Sequence, residues 1–220
     1  MNQEQKNIDQ NNSIIEKIPV EEISGLVSVI LPCYNCKDYV IDSIKSVRSQ
    51  IYEDWELIII DDCSTDGSYE LIETYLDEIK DNRIKLYRNQ KNIGCYSSIN
   101  EGIIKSHGEF ITRLDSDDKF TNDKLTRQIK YFDENPNKVA VYGMFEREGD
   151  WPDSGDVTIM FRRRVINEIG YFDSVRFGAD SEMFWRISKY YHKGMGKICK
   201  TLYKAKRRKN SLTTDKITGN

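Results

Sequence analysis

The 220-residue sequence contains no long hydrophobic run, only two histidines and four prolines, and no excess of basic residues. A membrane-spanning helix needs about 20 consecutive apolar residues, so none is predicted, and the polar first 13 residues do not resemble a secretory signal. With 33 Lys and Arg against 36 Asp and Glu, the net charge is −3, which argues against a nucleic-acid partner. We therefore expect a cytoplasmic protein that binds no nucleic acid.

Cysteine is also scarce, and the five residues present, an odd number at irregular spacing, do not form a disulfide framework. Cys33 and Cys36 have the CxxC spacing of a zinc or redox site, but no second CxxC and no clustered histidine completes a ligand set. The favoured interpretation is that both are reduced packing residues at the end of a strand. Zinc or redox chemistry is the alternative.

Short apolar runs rich in Val and Ile alternate with segments of helical periodicity beyond residue 25. Residues 1–24, rich in Asn, Gln and Glu, are predicted to form a flexible leader, and residues 25–220 a single α/β domain. Strand and helix alternate four times, which is typical of a doubly wound, mainly parallel sheet. The predicted strands are 26–31, 57–60, 84–87, 110–114, 139–145 and 157–161, and the last two predicted helices are 163–169 and 180–191.

Polar and acidic residues follow each of the first four predicted strands. The carboxyl ends of parallel strands meet at one edge of the sheet, where such folds bind their ligands. The segments at that edge are Pro32–Asn35, Asp61–Gly67, Arg88–Gly94 and Asp115–Asp118. The sequence therefore predicts a ligand site there.

Three carboxylates fall within four residues after the fourth strand, at Asp115, Asp117 and Asp118. Left unpaired, they would repel one another and raise one another's pKa. A hard divalent cation such as Mg²⁺ or Mn²⁺ would relieve this repulsion. The alternative is a solvated turn that caps a helix at 119–122. Taken alone, the cluster leaves both interpretations open.

A more specific indication of function comes from the order of several segments along the chain. These segments are Val27–Asn35, Ile59–Gly67, Asn92–Gly94, Asn100–Gly102, Gly108–Ile111 and Leu114–Asp118. Together they resemble glycosyltransferase family 2 with a GT-A fold, over about Val27 to Arg186. The resemblance implies an inverting, metal-dependent enzyme that moves a hexosyl or N-acetylhexosaminyl group from a nucleoside-diphosphate sugar, UDP-linked in our prediction. The acceptor would be a hydroxyl of a glycan, lipid or protein. Residues 25–118 would form the nucleotide-sugar-binding half and 119–220 the acceptor-side half.

The resemblance also implies roles for single positions. Asp117 would ligate Mn²⁺ or Mg²⁺, which neutralises the diphosphate leaving group. Asp62 would accept a hydrogen bond from the nucleotide base, and Asp115 would lie near the ribose. The residues implied in nucleotide-sugar binding are Pro32, Tyr34, Asn35, Asp62, Asn92, Gly94, Asp115, Ser116 and Arg208.

On the acceptor side, residues 177–186 resemble the family motif of an acidic pair, a spacer, a third acid, an aromatic residue and Arg. Ala179 replaces the first acid of the pair, and Arg208 stands where relatives often carry a His ligand. Trp151, in a loop with Gly and Pro, and Glu182 are the predicted acceptor contacts. The two departures leave a catalytically degenerate nucleotide-sugar-binding scaffold as the alternative function.

Helical geometry distinguishes the two acids of this motif. At about 100° per residue, Asp180 heads an apolar stripe with Met183 and Ile187, whereas Glu182 lies on another side, four residues before Arg186. Asp180 is therefore predicted to be the catalytic base, and Glu182 to form a solvated ion pair with Arg186.

Other enzyme classes lack their motifs in this sequence. No GxGxxG turn follows the first strand and no P-loop occurs, while a receiver domain would leave the C-terminal third unexplained. That third ends in a basic stretch, with eight Lys or Arg and no acid between 193 and 209. Within it, residues 206–209 are predicted either to close over the diphosphate as a lid, or to solubilise a helix end or touch an anionic membrane surface.

Overall fold

The chain alternates strand and helix through its first half, as the hydrophobic periodicity predicts. The computed structural model describes residues 21–147, 149–175 and 178–206. The strands are β1 (Ile23–Cys33), β2 (Trp55–Asp61), β3 (Ile84–Arg88), β4 (Gly108–Arg113), β5 (Lys119–Phe120), β6 (Ala140–Arg147), β7 (Asp153–Ser154), β8 (Met160–Arg162) and β9 (Met195–Ala205). The helices are α1 (Val40–Arg48), α2 (Ser68–Ile79), α3 (Cys95–Ile104), α4 (Lys124–Glu134), α5 (Arg164–Ile169) and α6 (Ala179–Tyr191).

Eight of these strands form one continuous sheet in the order β3-β2-β1-β4-β8-β6-β9-β5, with β7 paired to β6. Strands β1 to β4 are mutually parallel, whereas β8 runs antiparallel to both β4 and β6. The parallel half is therefore the part whose strand ends all point to one edge.

Apolar residues on both faces of β1 explain why the sheet is covered on both sides. Val29 and Leu31 belong to a core cluster that includes residues of α1 and α4, and Ile30 belongs to a second cluster with residues of α3, α5 and α6. Strands buried on both faces read as continuous apolar runs, which is the pattern that predicted parallel pairing. Asp180 lies on α6, which packs on the face of the sheet that the second cluster covers.

Part of the C-terminal basic stretch forms a strand that the sequence pattern does not predict. Residues 195–205 form β9, inserted between β6 and β5. Leu202 and Tyr203 are fully buried while Lys197 and Lys204 are exposed. The buried residues do not alternate regularly along β9, so the lysine-rich segment carries no clear period-two signal of a strand. Arg208 and the rest of the predicted lid beyond residue 206 lie outside the described residues.

Several smaller predictions are also settled. Cys33 and Cys36 form a disulfide, with Cα atoms 6.3 Å apart, so the expectation of reduced thiols is wrong for this pair.

Of the predicted leader, residues 1–20 lie outside the described part of the chain, and Ile23 and Ser24 already belong to β1. Within the described residues, no helix has the length and apolar character needed to cross a bilayer.

Candidate active site

The carboxyl ends of the parallel strands meet as the sequence predicts. Cys33 pairs with Asp61 and Asp61 with Arg88, so β1, β2 and β3 end side by side. On the other side of β1, Arg113 at the end of β4 pairs with Ile30. The polar segments that follow these strands therefore lie along one edge.

Asp62 shapes the loop before α3. Its Oδ1 accepts hydrogen bonds from the Asn89 side-chain amide and the Ile93 N–H, both at 2.9 Å, and its Oδ2 accepts one from the Gly94 N–H at 2.8 Å. Gly94 has φ of +91°, a conformation that strains other residues. Asp62 and Gly94 are thus brought together. Asp62 already accepts three hydrogen bonds, so a hydrogen bond from a nucleotide base would be its fourth.

Asp61, the preceding acid, is fully buried. Its Oδ2 accepts a hydrogen bond from the Ser64 N–H at 3.1 Å and lies 3.4 Å from Arg88 Nε, while its Oδ1 has no hydrogen-bond partner in the described part of the chain. Adjacent acids at the end of β2 therefore differ in role, because Asp61 anchors the following turn and Asp62 anchors the loop from the next strand.

The predicted contacts of the nucleotide base differ in accessibility. Tyr34, with 49% of its surface exposed, and Asn92 lie at the surface of the edge, whereas Pro32 is buried within β1. Asn35 adopts a left-handed conformation, with φ of +49°, and its Oδ1 accepts a hydrogen bond from the Thr65 N–H at 2.9 Å. The loop after β1 is therefore tied to the loop after β2, and Tyr34 projects from it.

The acidic cluster after β4 is an edge of the site and not a helix cap, because Lys119 and Phe120 form a strand. Asp115 Oδ1 accepts a hydrogen bond from Arg113 Nη1 at 2.5 Å. Asp118 is buried, and its Oδ1 accepts one from the Lys206 N–H at 2.7 Å. Burial, followed by the charges of Asp115 and Asp117, raises the pKa of Asp118 to about 7. Ser116, also buried, accepts a hydrogen bond at its carbonyl from the Ser43 hydroxyl.

This cluster suits a hard divalent cation that shares its coordination shell with phosphate oxygens. Among the described residues, no three His, Cys, Asp or Glu side chains are grouped as a closed metal cage. Mg²⁺ and similar ions keep several waters or substrate oxygens and often take only one or two carboxylates from the protein. Burial is the largest cause of the raised pKa of Asp118, and the charges of Asp115 and Asp117 add to it, so a cation would offset only that second part. The carboxylate oxygens of this segment suit a hard cation shared with a substrate, and Asp117 as its ligand stays a prediction.

Asp180 lies at the start of α6 and reaches the same edge. Its Oδ2 is 2.8 Å from Arg113 Nη2 and accepts a hydrogen bond from the Tyr96 hydroxyl at 2.9 Å. Its Oδ1 is buried and has no hydrogen-bond partner among the described residues. Burial raises the pKa of Asp180 and the Arg113 charge opposes that rise. The result is a positioned carboxylate whose second oxygen is buried and makes no hydrogen bond among the described residues.

Glu182 has a different environment, as the helical periodicity predicts. Arg186 donates to both of its carboxylate oxygens, at 2.8 and 2.6 Å, and also to the carbonyls of Ile169 and Tyr171. The predicted ion pair exists, but it is partly buried and connects α6 to the segment after α5, so it is more than a solvated surface pair. Trp151, the other predicted acceptor contact, is 93% exposed in the loop before β7.

Three residues of this site were not predicted. Arg113 joins Asp115 to Asp180, Tyr96 donates to Asp180, and the buried Tyr203 accepts a hydrogen bond from the Asp115 N–H at 3.2 Å. A lone arginine in an apolar strand is a signal that could have identified the first, because a buried Arg is almost always paired with polar or anionic groups. Tyr96 and Tyr203 carry no such signal, since their spacing only indicates core positions.

Comparison with known proteins agrees with this architecture. Residues 28–191 match the model of the family described as Glycosyl transferase family 2. An uncharacterised glycosyltransferase of Haemophilus influenzae is 44% identical over 120 residues, which cover 54% of this chain and 47% of the relative. The chain thus spans about half the length of that curated relative.

Solved structures share the fold at lower identity. S. aureus TarS 1–349 in complex with UDP-GlcNAc superposes with a TM-score of 0.73 and 21% identity, covering 86% of this chain and 60% of TarS. The mannosyltransferase PcManGT of Pyrobaculum calidifontis, in complex with GDP-Man and Mn²⁺, gives 0.74 and 18%, covering 87% and 59%. The predicted GT-A fold is therefore confirmed.

Proposed function

The chain belongs to glycosyl transferase family 2, and on that premise we propose that it transfers a sugar from a nucleoside-diphosphate sugar to a hydroxyl acceptor with inversion at the anomeric carbon. One observation carries the proposal: Asp180 is fixed by Arg113 and Tyr96 at the carboxyl edge of the sheet, and its second oxygen has no hydrogen-bond partner among the described residues. Such a carboxylate is suited to general base catalysis.

The donor occupies the first half of the edge in this proposal. Tyr34 packs against the base, Asp62 and the loop ending at Gly94 border it, and Asp115 accepts a hydrogen bond from the ribose. UDP-linked hexoses and N-acetylhexosamines are the first donors to test, since TarS was solved with UDP-GlcNAc. PcManGT was solved with GDP-Man, so guanine nucleotides belong in the same panel.

Asp117 holds Mn²⁺ or Mg²⁺ in this proposal. The ion, when bound, stabilises the negative charge that develops on the departing diphosphate. The presence of Mn²⁺ in the PcManGT complex supports testing this metal first.

Asp180 performs the proton transfer. Its Oδ1, which has no hydrogen-bond partner among the described residues, becomes accessible when the acceptor binds in this proposal. It takes the proton of the acceptor hydroxyl while that oxygen attacks the anomeric carbon, and the bond from this carbon to the diphosphate oxygen breaks on the opposite face. The attack and departure are in line, so the anomeric configuration inverts and no covalent sugar–enzyme bond forms. In this proposal the acceptor approaches from the side of α6, and Trp151, exposed in the loop before β7, is a candidate contact.

The experiment is a donor panel with a defined readout. Purified protein is mixed with UDP-Glc, UDP-GlcNAc, UDP-Gal or GDP-Man and Mn²⁺, and stabilisation of the fold identifies donors by mass action. Release of nucleoside diphosphate is then followed with glycan and glycolipid acceptors, and the anomeric configuration of the product is read by NMR. Retention of configuration, or no transfer from any donor that binds, contradicts the proposal.

The alternative function, a scaffold that binds a nucleotide sugar without transferring it, has one observation in its favour. Ala179, which replaces an acid of the family motif, is fully buried in the core beneath α6, so no acid reaches the site from that position. Donor binding with a normal affinity but no turnover, in wild type and in Asp180→Asn alike, would support the scaffold.

A further inference from the structure

Arg113 occupies a position between the two halves of the site. It is the last residue of β4, its side chain is nearly fully buried, and its Nη1 and Nη2 contact Asp115 and Asp180 at 2.5 and 2.8 Å. One planar guanidinium thus connects the donor-side acid to the acceptor-side acid. Arginine suits this task because its nitrogens form a rigid fork.

The charge balance of this cluster gives the contact a consequence beyond packing. Burial is the largest cause that favours protonation of Asp180, Arg113 opposes it, and the charge of the partly exposed Asp115 adds to the effect of burial. Without Arg113, no guanidinium would stand between the two carboxylates. The groups that face Asp180 are Arg113 from β4, Asp115 after β4, Cys95 and Tyr96 from α3, and Asp156 from the turn that precedes β8.

We propose that Arg113 is a positioning residue, which holds Asp180 in line with the acceptor and keeps it ionised, and which links this base to the donor-side Asp115. The inference rests on the proposed function, because Asp180 must be ionised in order to take the proton of the acceptor hydroxyl. Arg113 itself touches neither acceptor nor leaving group in this scheme.

A second buried arginine allows the role of Arg113 to be distinguished from a general contribution to stability. Arg163 is another buried arginine, at the opposite end of β4, where it donates to the Gly108 carbonyl and the Ser106 hydroxyl, both at 2.7 Å. It is bonded to neutral groups and lies away from Asp180, so Arg163→Met should disturb folding without changing the titration of Asp180. It is the matched control for Arg113→Met.

The first test measures ionisation directly and needs no substrate. The side-chain carboxyl carbons of ¹³C-aspartate-labelled protein are titrated by NMR, and the Asp180 signal is assigned by its loss in Asp180→Asn. Arg113→Met should move the titration of Asp180 to higher pH by about one unit or more, since an opposite charge within hydrogen-bond distance changes carboxyl ionisation by that amount. Arg113→Lys should move it less, and Arg163→Met should leave it unchanged.

The second test uses turnover with whichever donor and acceptor the panel identifies. The acid limb of kcat should move to higher pH in Arg113→Met, with a loss of about tenfold for each unit of displacement on that limb and partial recovery at higher pH. Arg113→Lys should restore part of the loss, and the donor KM should change less than kcat.

These outcomes distinguish a failure of the role assigned to Arg113 from a failure of the proposed function. An Asp180 titration unchanged in folded Arg113→Met, or a kcat loss equal at every pH, overturns the role of Arg113. Absence of transfer by wild type together with the expected NMR shift would instead contradict the proposed function and leave the ionisation role standing. If Arg113→Met does not fold, Arg113→Gln, which removes the charge but keeps a hydrogen-bond donor, decides the question through the same titration.

Discussion

Replacing each of two acids on the same helix tests the catalytic assignment most directly. Asp180→Asn removes the proton acceptor but keeps an oxygen that can accept the Tyr96 hydrogen bond, now at 2.9 Å to Oδ2. Loss of a general base typically lowers kcat by about 10²- to 10⁴-fold. Arg113 retains Asp115 as a partner, so we expect a stability loss of only about 1 to 3 kcal/mol.

Glu182→Gln is the matched control, because it changes one acid to its amide two positions along α6. Arg186 keeps its bonds to the Ile169 and Tyr171 carbonyls, at 2.6 and 2.9 Å, when the ion pair is weakened. The partly exposed pair contributes roughly 0.3 to 1 kcal/mol, so the fold should persist. We expect kcat to change by less than about threefold, since Glu182 provides no proton transfer in this scheme.

The assay is initial-rate release of nucleoside diphosphate at saturating donor, with donor affinity measured separately by thermal shift. Both variants should bind donor like wild type, because neither acid lies on the donor side. The reasoning is refuted if Asp180→Asn keeps more than about a tenth of wild-type kcat, or if Glu182→Gln loses as much as Asp180→Asn.

Three further changes test other parts of the structure. Asp117→Asn should abolish metal-dependent transfer while the melting temperature is kept, and a chelator should reproduce that loss in wild type; full activity of the variant in chelator contradicts the metal assignment. Lys124 has no carboxylate partner among the described residues, and burial holds its pKa well below the usual 10.5; Lys124→Met removes this cost of burial but also the hydrogen bonds that Lys124 donates to Thr112 and Gln128, so the free energy of unfolding at pH 7 should change by no more than about 1 kcal/mol. Because the unfolded chain binds a proton that the folded lysine resists, the stability of wild type relative to Lys124→Met should rise as the pH approaches 10.5, and chemical denaturation at pH 7 and 10 measures it; a relative stability that falls with pH is the contrary result. Arg208→Ala should weaken binding of free nucleoside diphosphate if the basic segment is a lid, whereas unchanged binding with salt-sensitive sedimentation on anionic vesicles favours a membrane contact.

The polar motifs were predictable because they depend on local sequence. Continuous apolar runs identified β1 to β4, and parallel pairing then placed the residues after Leu31, Ile60, Tyr87 and Leu114 on one edge. The Glu182–Arg186 pair was equally local, since residues four apart on a helix are neighbours. Family membership followed from the order of these motifs.

Strand β9 was not predicted, because its formation depends on pairing with strands that are distant in the sequence. The segment looks basic and polar in isolation, and only the neighbouring β6 and β5 bury Leu202 and Tyr203. The disulfide has the same character: a CxxC spacing permits packing, metal binding or a bond between the thiols, and the turn after β1 decides among them.

The sequence by itself therefore determined the fold class, the edge of the sheet at which polar side chains gather, and the choice of Asp180 over Glu182 as the proposed base. The tertiary structure alone decided what surrounds that base. Arg113 and Tyr96 are 67 and 84 positions away from Asp180 in the chain, and no local pattern connects residues at such separations. Their contact arises because the packing of α6 and α3 on the same face of the sheet, at the end of β4, brings three distant side chains into one buried cluster.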